Sequence, residues 1–330
     1  MAFAAPPAAH ARVADVTPPD WIAPTPAEAQ RFVVDAGATL KVQVAASNAD
    51  PAAVVEVTAS GATSRAKFVA TPGNPASGTL TWTTSFREIG DYVVTFTAQV
   101  TGSTLAPAVR TIDVEVRKPP PFKLSGIGEV SRYAYVAHAT YAHAQPRANS
   151  RIVAQIGAMT PDIEPNLLLL LDGAYDNAGR VWIRVRLAIL PNNSTGWVPE
   201  DALGPFRALT THLIVNRSLL RATLYRGGRV IFRARVGVGR SYWPTPRGEF
   251  YVRERLAGFD DPFYGPLAFG LSARSAVLTD WPGGGFIGIH GTNAPELLPG
   301  RVSHGCVRMR NPDILRLARL MPLGTPVSIV

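Results

Sequence analysis

A mainly β protein is what this sequence predicts, and three observations carry that expectation. Apolar and polar residues alternate with period two in run after run, the pattern of a half-buried strand. Gly and Pro number 29 each, enough to punctuate short strands and to interrupt long helices. One short stretch near the C-terminal end carries helical spacing behind a start signal. With 46% apolar residues, a chain of 330 can bury two or three separate cores.

Residues 1–30 read as an extended leader, with Pro18, Pro19, Pro24 and Pro26. Ala9-His10-Ala11 has the Ala-x-Ala form of a signal-peptidase site, yet the charged and long apolar regions of a signal peptide are missing, so the export signal is incomplete in this sequence. From 31 to 117, alternating runs at 39–44, 54–57, 79–82, 92–96 and 112–116 are separated by Gly, Pro, Asn and Ser, which predicts an antiparallel β-sandwich. The pattern resembles immunoglobulin-like modules of secreted bacterial proteins, without the inter-sheet cysteines. Lys118-Pro119-Pro120-Pro121 reads as a stiff polyproline linker. Residues 122–206 then carry a run of five leucines (167–171), a cleanly alternating 181–187 and Thr195-Gly196-Trp197-Val198. These pieces resemble an SH3-like module, a small barrel. Trp197 there either closes the barrel core or offers a ligand platform, and His138 and His143 are expected at the surface.

From 207 to 330 the chain is β-rich again, with a hairpin whose Gly227-Gly228 turn joins 219–225 to 230–236. The one helix is expected after Asn311 as cap and Pro312 at the first helical position, with Ile314, Leu315, Leu317, Ala318 and Leu320 as its apolar face. Charge is uneven: residues 207–330 hold a balance of +10 and residues 1–206 a balance of −1. Four lysines against 29 arginines look like codon bias rather than a functional cluster. The basic C-terminal part suits an anionic partner. Helix-turn-helix, zinc-finger and aromatic RNA-platform motifs are missing, so nucleic acid is not the expected partner, and a carboxylate-rich wall polymer fits better. No run approaches the roughly 20 apolar residues of a membrane span.

Chemistry concentrates at the only cysteine, Cys306, in Ser303-His304-Gly305-Cys306-Val307-Arg308-Met309, with His290 upstream in Ile289-His290-Gly291-Thr292. A lone thiol with nearby histidines reads as a nucleophile with a base; the bland alternative is a small buried apolar residue. Gly305, His304 and Arg308 around it suit an exposed turn better than a core. His290, His304 and Cys306 could also ligate a metal, but three such residues without a second cluster argue weakly for one.

These motifs resemble the signature of the bacterial L,D-transpeptidase catalytic domain: a histidine, a spacer, then Ser/Thr-His-Gly-Cys, an aliphatic residue and Asn or Arg. Pro244-Thr245-Pro246-Arg247-Gly248-Glu249-Phe250 and the closing Pro322-Leu323-Gly324-Thr325-Pro326-Val327 also resemble family segments, so the likeness covers about 207–330. The spacer between the histidine motifs is short for the family, which implies a shorter loop over the site. The resemblance implies that Cys306 attacks and that His290 is the base, its ring oriented by the Gly291 carbonyl. His304 would support the loop or thiolate, Ser303 would fix the loop, and the amides of His304, Gly305 and Cys306 would hold an oxyanion. Arg308 would grip a substrate carboxylate or else make a structural bond. Tyr264 and Trp281, in a lid-like stretch at 258–286, would line the cleft or pack in the core. The implied activity is a cofactor-free peptidoglycan transpeptidation giving 3→3 cross-links through a Cys306 thioester, with stem peptides as donor and acceptor. Water as acceptor would make it an L,D-carboxypeptidase, and a vestigial domain would leave a wall-binding scaffold. The resemblance further implies an exported protein of the cell envelope, a role in cell-wall biogenesis and cell shape, and acylation by carbapenems.

Overall fold

The computed structural model describes residues 17–126, 128–257, 261–278 and 285–330. The described residues are mainly β, with one α-helix, Asn311–Leu320. The chain forms two compact units, Met1–Pro119 and Pro120–Val330.

The first unit holds two four-stranded sheets. One runs Asp20–Ile22, Thr39–Ser47, Ala76–Thr83, Ala66–Thr71; the other runs Gln30–Asp35, Ala108–Arg117, Gly90–Val100, Val55–Ser60. Period-two alternation does the sorting: Leu40, Val42 and Val44 point inward while Thr39, Lys41 and Gln43 stay exposed. Trp82, Phe96 and Ile112 are fully buried in the single core between them. Two features depart from the sequence reading. Part of the expected leader is a strand, since Asp20–Ile22 pairs with Thr39–Ser47. The sandwich is also not wholly antiparallel, since Gln30–Asp35 runs parallel to Ala108–Arg117.

The second unit joins two sheets. An eight-stranded sheet is built largely from residues 122–209, and its edge strand Arg207–Leu209 pairs with Ser131–Tyr135. The leucine run explains how this sheet meets its neighbour. In the strand Leu167–Tyr175, Leu168 and Leu170 enter the core with Ile183, Val185 and Val198. Leu167 and Leu169 point the other way and cluster with Tyr251 of the strand Gly248–Ala257. A run that reads as uniformly apolar thus serves two cores by alternation. The Tyr251 hydroxyl donates to the Leu167 carbonyl at 3.2 Å, and complete burial pushes that phenol up to about 12. His143, expected at the surface, is buried: its ring stacks edge-on against Trp182 at 5.4 Å and its Nδ1 meets the Ser150 carbonyl at 3.0 Å. Trp182 is 2% exposed, whereas Trp197 is half-buried beneath the Arg184 guanidinium.

The ten-stranded sheet carries the Cys306 region. Its order places Gly248–Ala257, Leu267–Arg274, Phe286–His290, Val307–Arg308, Gly237–Gly239 and Gly300–Ser303 side by side. Its core includes Phe232, Phe250, Phe269 and Met309, and the helix packs on it through Ile314 and Leu317. Leu315, expected on the apolar face, is 42% exposed. Asn311 does not cap the helix: Arg310 holds the cap position, and the Asn311 side chain accepts the Thr292 N–H at 2.8 Å. That bond ties the helix start to the loop after His290. Among the described residues, no helix is long and apolar enough to cross a membrane.

Candidate active site

Parallel pairing of Phe286–His290 with Val307–Arg308 sets Ile289 beside Val307 and His290 beside Arg308. Cys306 immediately precedes that second strand, and the same register sets it beside the middle of Phe286–His290. Cys306, His290, His304, Ser303, Arg308 and Tyr264 all line one pocket, together with Phe263, Ile287, Phe286 and Leu278. Trp281 lies outside the described residues. Among the described lining residues there is no aspartate or glutamate, and among all described residues no cluster of three or more His, Cys, Asp or Glu could hold a metal.

The turn bearing the thiol is tied by two hydroxyls. The Ser303 hydroxyl donates to the Cys306 carbonyl at 2.5 Å and accepts the Gly305 N–H at 3.1 Å. The Thr245 hydroxyl donates to the Gly305 carbonyl at 2.7 Å and accepts the Gly239 N–H at 2.8 Å. Gly305 has φ of +119°, and a Cβ there would meet Ile287 at 2.9 Å, so only glycine fits. Because its N–H is given to Ser303, Gly305 drops out of the expected set of oxyanion donors. The Gly288 N–H, which the sequence reading did not single out, instead points at the Cys306 sulfur at 3.3 Å. Gly288 lies two residues before His290, on the same face of its strand.

His290 is 2% exposed, and its Nδ1 lies 2.7 Å from the Gly291 carbonyl. A protonated Nδ1 donates to that carbonyl and leaves Nε2 as the acceptor. Burial depresses the imidazole to about 4; the Gly291 bond opposes it, and the Arg308 charge adds a smaller push down. Cys306 is half-buried rather than exposed. Burial pushes its thiol up, and the Gly288 N–H and the Arg308 guanidinium only partly oppose that. The resting pair near neutrality is therefore thiol plus neutral imidazole. Desolvation thus outweighs the nearby positive charge and N–H donor, which alone would lower the thiol.

His304 stacks against Trp243 with ring centroids 4.0 Å apart, and Trp243 packs edge-on against Tyr242. Arg308 is 6% exposed, its guanidinium lies 4.3 Å from the Phe263 ring, and its Nε has no hydrogen-bond partner. A buried cation without an acidic neighbour is costly unless an anion arrives. The Tyr264 ring sits edge-on to His290 at 5.1 Å.

Comparison with known proteins places this part of the chain in a family. The L,D-transpeptidase catalytic domain model matches residues 210–329. YqjB of Bacillus subtilis (strain 168), named as an L,D-transpeptidase, is 31% identical over 126 residues, which is 36% of this chain and 70% of that protein. The chain belongs to the L,D-transpeptidase family. YkuD of the same organism, a relative named likewise, is 36% identical over 118 residues, 36% of this chain and 65% of its own length. The chain spans 65% and 57% of the length of the two YkuD relatives it matches, from B. subtilis and Bacillus licheniformis. A solved L,D-transpeptidase from Mycobacterium smegmatis aligns over 96% of this chain and 98% of that one at 12% identity, with a TM-score of 0.28. The L,D-transpeptidase match begins at residue 210, so it leaves the first unit and the whole eight-stranded sheet outside it.

Proposed function

We propose that this L,D-transpeptidase forms 3→3 cross-links between peptidoglycan stems through a thioester on Cys306, in the bacterial cell envelope. The observation that supports the reading most is one pocket, with no acid among its described lining residues, that gathers Cys306, His290 and Arg308. Cys306 attacks the carbonyl of the third, L-centred diamino-acid residue of a tetrapeptide stem. Its proton passes to His290 Nε2 and then to the amine of the departing D-alanine. An amine from a second stem takes the acyl group and restores the thiol. Arg308 and the basic surround suit a stem carboxylate, and the Gly288 N–H is placed to donate to an oxyanion that forms beside the sulfur. His304 supports the thiolate from the Trp243 side, while Ser303, Gly305 and Gly291 hold the loop. Tyr264 lines the cleft. The sandwich and the small barrel, read as immunoglobulin-like and SH3-like modules, would hold the enzyme against the wall. Water as acceptor gives carboxypeptidase activity at the same site.

The test is mass spectrometry of tetrapeptide muropeptides incubated with the protein. Dimers lacking one D-alanine are expected from the wild type and none from Cys306→Ala. Tripeptides alone would shift the reading to carboxypeptidase, and dimers from Cys306→Ala would overturn the mechanism. A carbapenem is expected to add its mass to the peptide carrying Cys306; an adduct on Ser303 would assign the nucleophile elsewhere.

A further inference from the structure

A second cavity, of about 370 Å³, opens between the eight-stranded sheet and the catalytic sheet, and Phe286 lines both it and the Cys306 pocket. Its size falls within the range of roughly 300–1,000 Å³ usual for small-molecule sites. The feature that sets it apart is Arg253. The strand Gly248–Ala257 pairs Val252 with Leu271 and Glu254 with Gly270, so Arg253 is the extra residue of a β-bulge. Bulges re-aim side chains and gather near functional sites. Here the bulge leaves Arg253, 3% exposed, lining the cavity.

Its charge is poorly compensated. Nη2 is 3.8 Å from Glu254 Oε1, the guanidinium lies 4.1 Å from the Phe286 ring, and Nη1 has no hydrogen-bond partner. Glu254 is itself 3% exposed, and burial pushes its carboxyl up, which weakens it further as a counter-ion. A buried cation held by one long ion pair and carrying an idle Nη1 donor can take a further anion. The rest of the wall says which kind. Ile156, Leu168 and Ile189 make it largely aliphatic, and no acidic residue is among its described lining residues to receive an ammonium. One guanidinium with free donor capacity suits a single carboxylate.

We propose that this cavity binds the C-terminal carboxylate of a short, N-blocked aliphatic peptide on Arg253, at a site separate from Cys306. It is independent of the Cys306 chemistry. Because Phe286 walls both spaces, the bound peptide end sits against the back of the catalytic pocket.

Calorimetric titration of the full chain tests this with N-acetyl-alanine, N-acetyl-alaninamide and free alanine. Arg308→Gln is the background, so that the catalytic pocket's own guanidinium does not contribute. N-acetyl-alanine is expected to bind, the amide not to bind, and free alanine to bind at least tenfold more weakly. Arg253→Gln should weaken binding roughly 10- to 100-fold, the loss expected for a charged hydrogen bond. Ala188→Trp fills the cavity from a half-buried position while leaving Arg253 in place, so it decides the matter if Arg253→Gln fails to fold. Binding that survives Ala188→Trp, equal binding of acid and amide, or no binding in the Arg308→Gln background would each overturn the proposal. Free alanine binding as well as N-acetyl-alanine would reassign the site to free amino acids.

Discussion

A buried imidazole and a half-buried thiol set the pH behaviour of the pocket. His290 is depressed to about 4 and the Cys306 thiol is raised, both chiefly by burial. His290 is thus an unprotonated base throughout pH 5–8, and acylation should fall only as the pH drops through about 4 and protonates it. Thiol ionisation should come above its ordinary range, so alkylation of Cys306 by a small electrophile should keep rising well past neutrality. A plateau in alkylation rate at pH 6–7 would contradict this and indicate a thiolate–imidazolium pair. The two histidines separate by the same measurement. His290→Ala should reduce carbapenem acylation by about a hundred- to ten-thousandfold, since it removes the base from the transition state. It should move the alkylation profile little, because a neutral imidazole contributes no charge to the resting thiol. His304→Ala loses the Trp243 stack and should weaken acylation less. A larger loss in His304→Ala than in His290→Ala would transfer the base assignment.

At the scale of elements, the nucleophile's position depends on a threonine far away in sequence. Thr245 is 1% exposed and bridges Gly239 to Gly305. Thr245→Val keeps the shape but leaves a buried N–H and a buried carbonyl without that hydroxyl, at a cost of about 1–3 kcal/mol each. The expected result is a lower melting temperature together with a carbapenem acylation rate reduced more than tenfold. Lower stability with unchanged acylation would show that the turn holds its shape without the bridge. The motif around Thr245 was legible as a segment of Pro-Thr-Pro-Arg-Gly, but its task was not, because the partner backbone lies 60 residues away. The same limit explains the helix start. Asn311 carries a strong capping signal, and the sequence does not reveal that the Thr292 N–H competes for its side chain and wins. Local rules predict local bonds; they fail where a loop from another strand supplies the partner.

At the scale of the whole molecule, the β class, the strand alternation, the one α-helix among the described residues and the gathering of Cys306 with the two histidines were readable from period and motif. The junction between the two sheets of the second unit was not. Five consecutive leucines show no alternation in sequence, since both faces of their strand are covered. Tyr251 likewise sits in a stretch, Phe250 to Glu254, buried at every position. The consequence is physical coupling between a domain that matches the family and a sheet that does not. Leu167 and Tyr251 are fully buried and Leu169 is 6% exposed, and exposing such side chains costs about 1.5–3 kcal/mol each. A chain of residues 120–330 retains this cluster and should unfold in one cooperative transition and still take a carbapenem on Cys306. A chain of residues 207–330 keeps all the catalytic residues but bares Tyr251 and the Arg253 cavity wall. It should melt several degrees lower or fail to fold, since each kcal/mol is worth about 2–8 °C in a domain of this size. Calorimetry of the two fragments decides it: equal melting temperatures would mean that the catalytic sheet stands alone and that the shared cluster contributes nothing to its stability.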